Sequence, residues 1–225
     1  MTHLNTAIDL SELQAAARIL HHSLVNYPTA DTLALFIEND LAQNWPAFTD
    51  SAANQQGKQY LTQFIAQWDT EQLTNLKLDY GQLFFGPGEP KAMPWGSVYL
   101  GEQGILNDES TITLMQFYKS IGVSFDLKYN QPVDHIALFY AVIDQLLAQI
   151  IDAQQTNAPE GSVAKEALII LLQQHMLPWS GRCLELAAEH AETDFYRGLV
   201  LLAKDFETVL ASTLNVIPMP MRLFK

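Results

Sequence analysis

The clearest candidate for chemistry in this sequence is the adjacent pair Asp134-His135, which follows Pro132 at the predicted start of a helix. A carboxylate beside an imidazole suits general acid–base catalysis, and a carboxylate can also bind a guanidinium through charge-assisted hydrogen bonds. The pair has a structural interpretation as well, in which Asp134 complements the positive end of a helix dipole and His135 is a hydrogen-bonded interior histidine. The residue pattern by itself favours the structural interpretation.

The other candidate nucleophiles lack a motif. Cys183, the single cysteine, is predicted to lie on a helix beside Arg182. A neighbouring guanidinium would lower the pKa of the thiol, whereas most lone cysteines are small apolar core residues. Neither Ser97 nor Ser180 lies in the G-x-S-x-G turn of serine hydrolases. The sequence therefore contains no recognisable nucleophile site.

A phosphate-binding loop is suggested only by spacing. Gly81 and Gly86 are separated as in such a loop, but Pro87-Gly88 stands where Lys-Ser/Thr must follow. The motif G-x-G-x-x-G is absent from the sequence as well. We therefore predict no nucleotide binding through a known loop.

The histidines and carboxylates also lack the spacing of a known metal site. His21 and His22 are adjacent, so on a helix they would point about 100° apart, and the sequence has no H-E-x-x-H motif. Glu185 and Glu189 share one helix face, which in an acidic chain is typical of solvated surface. We predict neither a metal nor a cofactor.

These residues must be positioned by helices, because apolar residues recur at steps of three and four along most of the chain. The first helix covers Leu10 to Leu24 and stops before Pro28, and Thr29 or Asp31 caps the second. The further helices are predicted at about 61–68, 73–84, 110–121, 133–153, 163–176, 178–191 and 194–213. Pro178 is expected to separate two of them. The fold predicted is an all-α single domain of eight or nine helices over residues 1–225, loosely divided near 123–132.

A Gly/Pro-rich segment at about 85–108 interrupts the helices. Its five glycines and three prolines predict a long loop, and loops of this length are often functional. The segment also contains Phe85, Met93, Trp95 and Tyr99, which is unusual for a solvated loop. These side chains must pack either on the body of the protein or on a ligand.

Composition excludes several classes of function. The 225 residues include 25 Asp+Glu against 12 Lys+Arg, a formal charge of −13, which opposes binding to nucleic acid. The most apolar stretch, Ile136 to Ile151, is interrupted by Asp144, Gln145 and Gln149 and is expected to fall short of a membrane span. The first residues lack the pattern of a secretory signal, so a soluble cytoplasmic protein is predicted.

Several segments, in order, resemble the TorD/DmsD/NarJ family of cytoplasmic chaperones for bacterial molybdoenzymes. The segments are Tyr80-Gly81-Gln82-Leu83-Phe84-Phe85-Gly86-Pro87-Gly88, Pro94-Trp95-Gly96-Ser97-Val98-Tyr99-Leu100, Gln131-Pro132-Val133-Asp134-His135-Ile136, and His175-Met176-Leu177-Pro178-Trp179 followed by Phe195-Tyr196. The segment Pro-Trp-Gly-Ser-Val and the final Pro-Met-Arg-Leu-Phe-Lys are most similar to the DmsD branch. The first 79 residues are similar only in being helical.

The resemblance implies an all-helical protein that is not an enzyme. Members bind the twin-arginine signal peptide of a molybdopterin-dependent oxidoreductase and hold the precursor in the cytoplasm until its cofactor is inserted. The site residues implied are Tyr80, Leu83, Phe84, Pro94, Trp95, Pro132, Asp134 and His135. Two of the matched positions depart from the family, since Tyr80 stands where the DmsD branch has tryptophan and Val133 where an acidic residue is common. The translocation machinery is a further expected partner, and the chain would be a monomer or a domain-swapped dimer.

The residues support this reading independently. A twin-arginine peptide is basic at its start and apolar afterwards, and an acidic protein with an apolar loop complements both parts. Trp95 and Phe84 would be apolar anchors, Asp134 would pair with an arginine, and His135 would orient Asp134 or add pH sensitivity. Under this hypothesis Trp95→Ala or Asp134→Ala weakens binding without unfolding the protein. The alternatives left open are a small hydrolase or nucleotide-dependent enzyme using the Asp134-His135 region, and a docking scaffold unrelated to export.

Overall fold

The computed structural model describes residues 8–127, 131–156 and 159–225. Within these ranges the chain forms eleven α-helices and one π-helical segment, and no β-strand. The helices are α1 (Leu10–Leu24), α2 (Ala30–Glu38), α3 (Leu41–Asn44), α4 (Ala52–Ala66), α5 (Gln72–Leu83), α6 (Gly96–Leu100), α7 (Glu109–Ser120), α8 (Ile136–Thr156), α9 (Glu160–Ile170), α10 (Leu177–His190) and α11 (Asp194–Thr213), with the π-helical segment Leu171–Met176 between α9 and α10. The all-α prediction is confirmed.

Nine of these helices are nine residues or longer, in agreement with the predicted eight or nine. The residue pattern does not predict the two short helices, α3 and α6, and α6 lies within the predicted loop 85–108. The pattern also does not predict that α4 begins as early as Ala52, because apolar spacing becomes clear only from Leu61. The helix begins where the hydroxyl of Ser51 accepts from the N–H of Asn54 at 3.0 Å, and its early turns pack closely on α11. A Cβ on Gly198 of α11 would lie 2.7 Å from the carbonyl oxygen of Gly57.

Side chains cap several helices where the sequence predicts a start. The hydroxyl of Thr29 accepts a hydrogen bond from the backbone N–H of Thr32 at 3.1 Å, so Thr29 rather than Asp31 caps α2. Asp108 caps α7 by accepting from the N–H of Ser110 at 2.9 Å. Such caps satisfy the free N–H groups of the first turn and fix where each helix begins.

The core is built around α8, which packs against α1 and α9, while α11 packs against α4 and α10. Both α1 with α8 and α4 with α11 join helices from opposite sides of residues 123–132. Their buried side chains belong to one continuous hydrophobic cluster. The predicted loose division near 123–132 includes residues 128–130, which lie outside the described residues, and it stays a prediction.

Helix α8 is long and apolar enough to cross a membrane by length and composition, so the expectation that this stretch falls short is not met. In the folded protein, however, 61% of the apolar stretch of this helix is buried. A central helix of a globule needs the same apolar composition, because it is surrounded by other helices. The burial of α8 indicates this role.

Pro178 does not separate two helices as predicted. The helical run continues from Glu160 to His190, and the π-helical segment ends at Met176, directly before the first turn of α10 that contains Pro178. In a π-helix each N–H bonds the carbonyl five residues earlier, as the N–H of Leu177 does with Leu172. Wider turns of this kind are often found at functional sites.

A buried carboxylate, Glu207, connects α8, α10 and α11. The hydroxyls of Tyr140 and Ser180 each donate to one of its oxygens at 2.7 Å. Burial raises the pKa of Glu207 from 4.5 to about 7, and the two hydroxyl donors oppose part of that rise. The folded protein therefore binds a proton at this position more tightly than the unfolded chain does.

This raised pKa predicts a pH-dependent stability. The contribution of Glu207 is fully present below about pH 4.5 and is lost as the pH rises through about 7. We expect the free energy of unfolding to fall by about 2 kcal/mol between roughly pH 5.5 and 7.5 because of this group. Urea unfolding at both pH values should show that Glu207→Gln removes this difference. Glu189→Gln, an exposed change on α10, should leave it in place, and equal pH profiles for the wild type and Glu207→Gln would contradict the prediction.

Candidate functional site

The predicted loop 85–108 is mostly packed on the body of the protein. The N–H groups of Lys91 and Ala92 donate to the carbonyls of Gln82 and Leu83 at the end of α5, at 3.0 and 2.8 Å. Most large side chains of the segment are buried or half-buried, whereas Phe85, Ile105 and Leu106 are exposed. Of the two alternatives for these side chains, packing on the protein therefore accounts for most of them.

The loop brings the N-terminus of α6 against the N-terminus of α8. The N–H of Ile136 donates to the carbonyl of Pro94 at 2.7 Å, and the N–H of Gly96 donates to the carbonyl of Asp134 at 3.1 Å. The N–H of Ser97 donates to Asp134 Oδ2 at 2.7 Å. Asp134 thus caps α6, not its own helix. The negative charge lies at the positive end of α6, which is favourable.

The second carboxylate oxygen of Asp134 is unsatisfied. Asp134 Oδ1 is buried and has no hydrogen-bond partner among the described residues. Burial raises the pKa of Asp134, and the backbone N–H of Ser97 together with the nearby hydroxyls of Ser97 and Thr111 opposes this rise. A buried carboxylate oxygen without a donor is costly, so a donor supplied from outside the protein would be bound favourably.

His135 matches its structural interpretation. Its Nδ1 accepts from the N–H of Ala137 at 3.1 Å, and its ring packs edge-on against Trp95 with 5.3 Å between ring centres. Burial lowers the pKa of His135 to about 3. The ring is therefore neutral at physiological pH, so the expected pH sensitivity is wrong for this residue.

Asp134 lies at the floor of a cleft of about 720 Å³. The walls are α6, residues 101–108, α7, the π-helical segment, α10 and the chain after α11. Among the described residues, four carboxylates line the cleft and no lysine or arginine does. The carboxylates are Glu102, Asp108, Glu109 and Asp134. The apolar walls include Leu100, Ile105, Leu114, Met219, Met221 and Phe224.

Three of the predicted site residues lie in the core, away from this cleft. Leu83 is fully buried, and Phe84 packs against Tyr80 and Tyr196. The Tyr80 hydroxyl donates to the carbonyl of Leu24 at 3.1 Å, and burial raises the pKa of Tyr80. Contact between these side chains and a ligand would require the core to open.

The other predicted residues lie around the junction of α6 and α8. Pro94, Trp95 and His135 are buried beside Asp134, and Pro132 is half-buried. Of the eight, only Asp134 lines the cleft. The motif therefore marks the position of the cleft, while most of its side chains hold the two helix ends together.

Sequence reasoning missed most of the cleft. The carboxylates Glu102, Asp108 and Glu109 are close in sequence and follow the Pro-Trp-Gly-Ser-Val motif, which was an available signal. No residue pattern identifies Met219 and Met221 as site residues. Their place in the cleft depends on where α11 ends, which apolar spacing does not determine.

The candidate nucleophile Cys183 is inaccessible. It is fully buried, and burial raises the pKa of the Cys183 thiol to about 12, so the activation by Arg182 considered above does not occur. Its Sγ lies 3.6 Å from the carbonyl oxygen of Met93. The guanidinium of Arg182 instead lies 3.5 Å from the carboxylate of Glu185. As for metals, the described residues contain no group of three or more potential ligands.

This burial predicts slow thiol chemistry. In the folded protein Cys183 should react with an aromatic disulfide reagent roughly 100-fold more slowly than in denaturant, because the reagent needs an exposed thiolate. Absorbance of the released thiolate gives both rates. Comparable rates for the folded protein and the protein in denaturant would show that Cys183 is accessible and that it is again a candidate nucleophile.

Comparison with known proteins agrees with the motifs. The family model described as nitrate reductase delta subunit matches residues 31–185. The Tat proofreading chaperone DmsD of Salmonella typhimurium is 26% identical over 205 residues, which cover 89% of this chain and 90% of that protein. The probable Tat proofreading chaperone DmsD of Haemophilus influenzae is 28% identical over 76% of this chain and 74% of its own length.

A more distant relative is the chaperone protein TorD of Vibrio vulnificus, which is 28% identical over 58% of this chain and 60% of its own length. These relatives are named as chaperones, in agreement with the prediction of a protein that is not an enzyme. The hydrolase alternative receives no support from them. The chain belongs to the nitrate reductase delta subunit family, which is the TorD/DmsD/NarJ family identified from its motifs.

Proposed function

We propose that this chain is a cytoplasmic chaperone that binds the twin-arginine signal peptide of a molybdopterin-dependent oxidoreductase precursor in the cleft above Asp134. The observation that carries the proposal is that Asp134 lines an acidic cleft and that its buried Oδ1 has no hydrogen-bond partner among the described residues. An arginine guanidinium would supply the missing donor, and it has five N–H groups to share among the carboxylates.

The walls of the cleft fit the rest of such a peptide. Glu102, Asp108 and Glu109 would attract its basic start, and Ile105, Leu114 and the methionines would contact its apolar continuation. Charge complementarity mainly increases the association rate and the specificity, and it is screened by salt. Binding should therefore weaken as the salt concentration rises.

The relatives suggest the class of client. Those named above are DmsD and TorD chaperones, so we propose an oxidoreductase of the dimethyl sulfoxide or trimethylamine N-oxide reductase type. Bound before export, the chain would protect the precursor while its cofactor is inserted. Contact with the translocation machinery belongs to the same proposal, and so do Tyr80, Leu83, Phe84, Pro94, Trp95, Pro132 and His135 as residues that shape or contact the peptide site.

Calorimetric titration tests the proposal. The purified chain is titrated with signal peptides from precursors of both reductase types, and with versions in which Lys-Lys replaces Arg-Arg. We expect micromolar or tighter binding to at least one peptide, and weaker binding to its Lys-Lys version, because lysine cannot bind carboxylates bidentately. If none of the peptides binds, the proposal is overturned.

The proposal also covers the oligomeric state of the chain. Since α1 packs on α8 across residues 123–132, opening of that connection would let two chains exchange halves. We propose a monomer that can form such a swapped dimer. Size-exclusion chromatography with light scattering would distinguish the two forms.

A further inference from the structure

The last ten residues, 216–225, form the C-terminal tail, which runs along the cleft. Asn215 has a left-handed backbone, φ 54°, at the end of α11, so the chain reverses there. The N–H of Val216 then donates to the carbonyl of Ala211 at 2.8 Å, and Val216 is buried. The reversal directs the tail back towards the π-helical segment.

Pro178 explains the first anchor of the tail. In the π-helical register the carbonyl of Gln173 would accept from residue 178, but proline has no N–H. The N–H of Met219 donates to this carbonyl instead, at 2.8 Å. The side-chain amide of Gln173 also donates to the carbonyl of Ile217 at 3.1 Å. The irregular helix thus provides a docking site for the tail.

The second anchor lies near the end of the tail. The N–H of Phe224 donates to the carbonyl of Tyr99 in α6 at 2.9 Å. The ammonium group of Lys225 contacts Glu89 at 2.8 Å, and the guanidinium of Arg222 lies 4.8 Å from the ring centre of Phe224. The tail therefore joins the π-helical segment to α6 along one side of the cleft.

The anchored tail presents apolar side chains to the cleft. Met219, Met221 and Phe224 line it and are 50%, 49% and 39% exposed. The two tail cations point to Glu89 and to Phe224 and do not line the cleft. Methionine is flexible and polarisable, so it can adapt to apolar partners of different shape.

We propose that the C-terminal tail is the part of the site that recognises the apolar segment of the bound peptide, with Met219 and Met221 as specificity-determining residues. This rests on the proposed function. The acidic and apolar walls belong to one cleft, so a ligand bound by both must carry a cationic part and an apolar part. A purely basic ligand would leave the tail side chains exposed.

The test uses Met219→Ser together with Met221→Ser in the full chain. One probe is a twin-arginine signal peptide that the wild type binds, and the second is the same peptide with its apolar residues replaced by serine. We expect the double variant to bind the first probe at least tenfold more weakly than the wild type does. The two proteins should bind the second probe within twofold of each other, because that probe lacks the apolar contact.

Ile217→Ser is the matched control. Ile217 lies on the same tail and is 77% exposed, but it does not line the cleft, so its replacement should change neither affinity by more than twofold. Equal losses of affinity for both probes, or no loss for the first, would overturn the role of the tail and leave the proposed function intact. If the wild type binds no signal peptide, the proposed function fails and this inference fails with it.

Discussion

Asp134→Asn is expected to weaken binding of a twin-arginine peptide by about 2–5 kcal/mol, which is roughly 30-fold to several thousand-fold. The buried oxygen Oδ1 has no donor among the described residues, and Asp134 belongs to the lining of a cleft that no lysine or arginine of the described chain lines. A bound guanidinium would therefore meet a charge that is already desolvated and positioned. Removing that charge while keeping the shape removes the strongest contact of the proposed complex.

Asparagine is the informative replacement because Asp134 also has a structural role. Its Oδ2 accepts from the N–H of Ser97 at 2.7 Å and caps α6. An asparagine side chain can keep this bond through its carbonyl oxygen, whereas alanine would leave the N–H unsatisfied. Asp134→Ala is thus expected to disturb α6 and the cleft wall as well as the charge.

The measurement is calorimetric titration of the wild type and the variants with the same peptide, accompanied by urea unfolding of each. Asp152→Asn is the control, since it changes the net charge equally and is exposed near the other end of α8. It should keep the wild-type affinity within about threefold, because an exposed charge far from the site is screened. If Asp134→Asn and the wild type bind the peptide with equal affinity, Asp134 does not contribute to peptide binding.

The helices could be predicted from the sequence where apolar spacing and caps agree. An apolar stripe from Leu10 to Leu24 and the following Pro28 predict the first helix, which is observed over Leu10–Leu24, and Thr29 is the one of the two predicted caps that the second helix uses. The failures have physical causes. Helix α4 begins at the cap formed by Ser51, whose hydroxyl accepts from the N–H of Asn54 at 3.0 Å. Its second turn packs closely through Gly57 against Gly198, a tertiary contact that leaves no apolar periodicity. Pro178 is accommodated by a π-helical segment, which has no established sequence signal.

The position of the candidate site could be predicted only in part. The motifs around Trp95 and Asp134 correctly indicate two segments that meet, since the N–H of Ile136 bonds the carbonyl of Pro94. Whether a motif side chain reaches a ligand or fills the core is a question of burial, and Phe84 is buried. The opposite wall comes from Met219 and Met221, whose location depends on the reversal of the chain after α11. Long-range placement of this kind is not encoded in local spacing.

Trp95→Ala is expected to destabilise the folded protein by about 3–5 kcal/mol, the usual loss for a large aromatic side chain removed from a core. Trp95 is 5% exposed, and its ring packs against His135 and Phe85 with centre distances of 5.3 and 6.0 Å. This differs from the sequence hypothesis, in which the replacement weakens binding without affecting the fold.

The loss would be concentrated where the site is built. Trp95 precedes α6 and pairs with His135 through the backbone, and its ring also packs against the ring of His135, so the side chain stabilises the contact that positions Asp134. The free energy of unfolding of a typical domain is about 5–15 kcal/mol, so this single replacement would remove a large fraction of it. Any loss of peptide affinity in Trp95→Ala would then reflect a disordered junction as much as a missing contact.

Urea unfolding of Trp95→Ala and Trp95→Phe, with Phe85→Ala as the control, separates these explanations. Phe85 touches Trp95 but is 59% exposed, so its replacement should cost about 1 kcal/mol or less. Trp95→Phe should lie between the wild type and the alanine variant, because it keeps most of the apolar volume. If Trp95→Ala unfolds like the wild type and loses only peptide affinity, the ring must reach the ligand directly. The junction of α6 and α8 would then have to open on binding, since the closed form buries that ring.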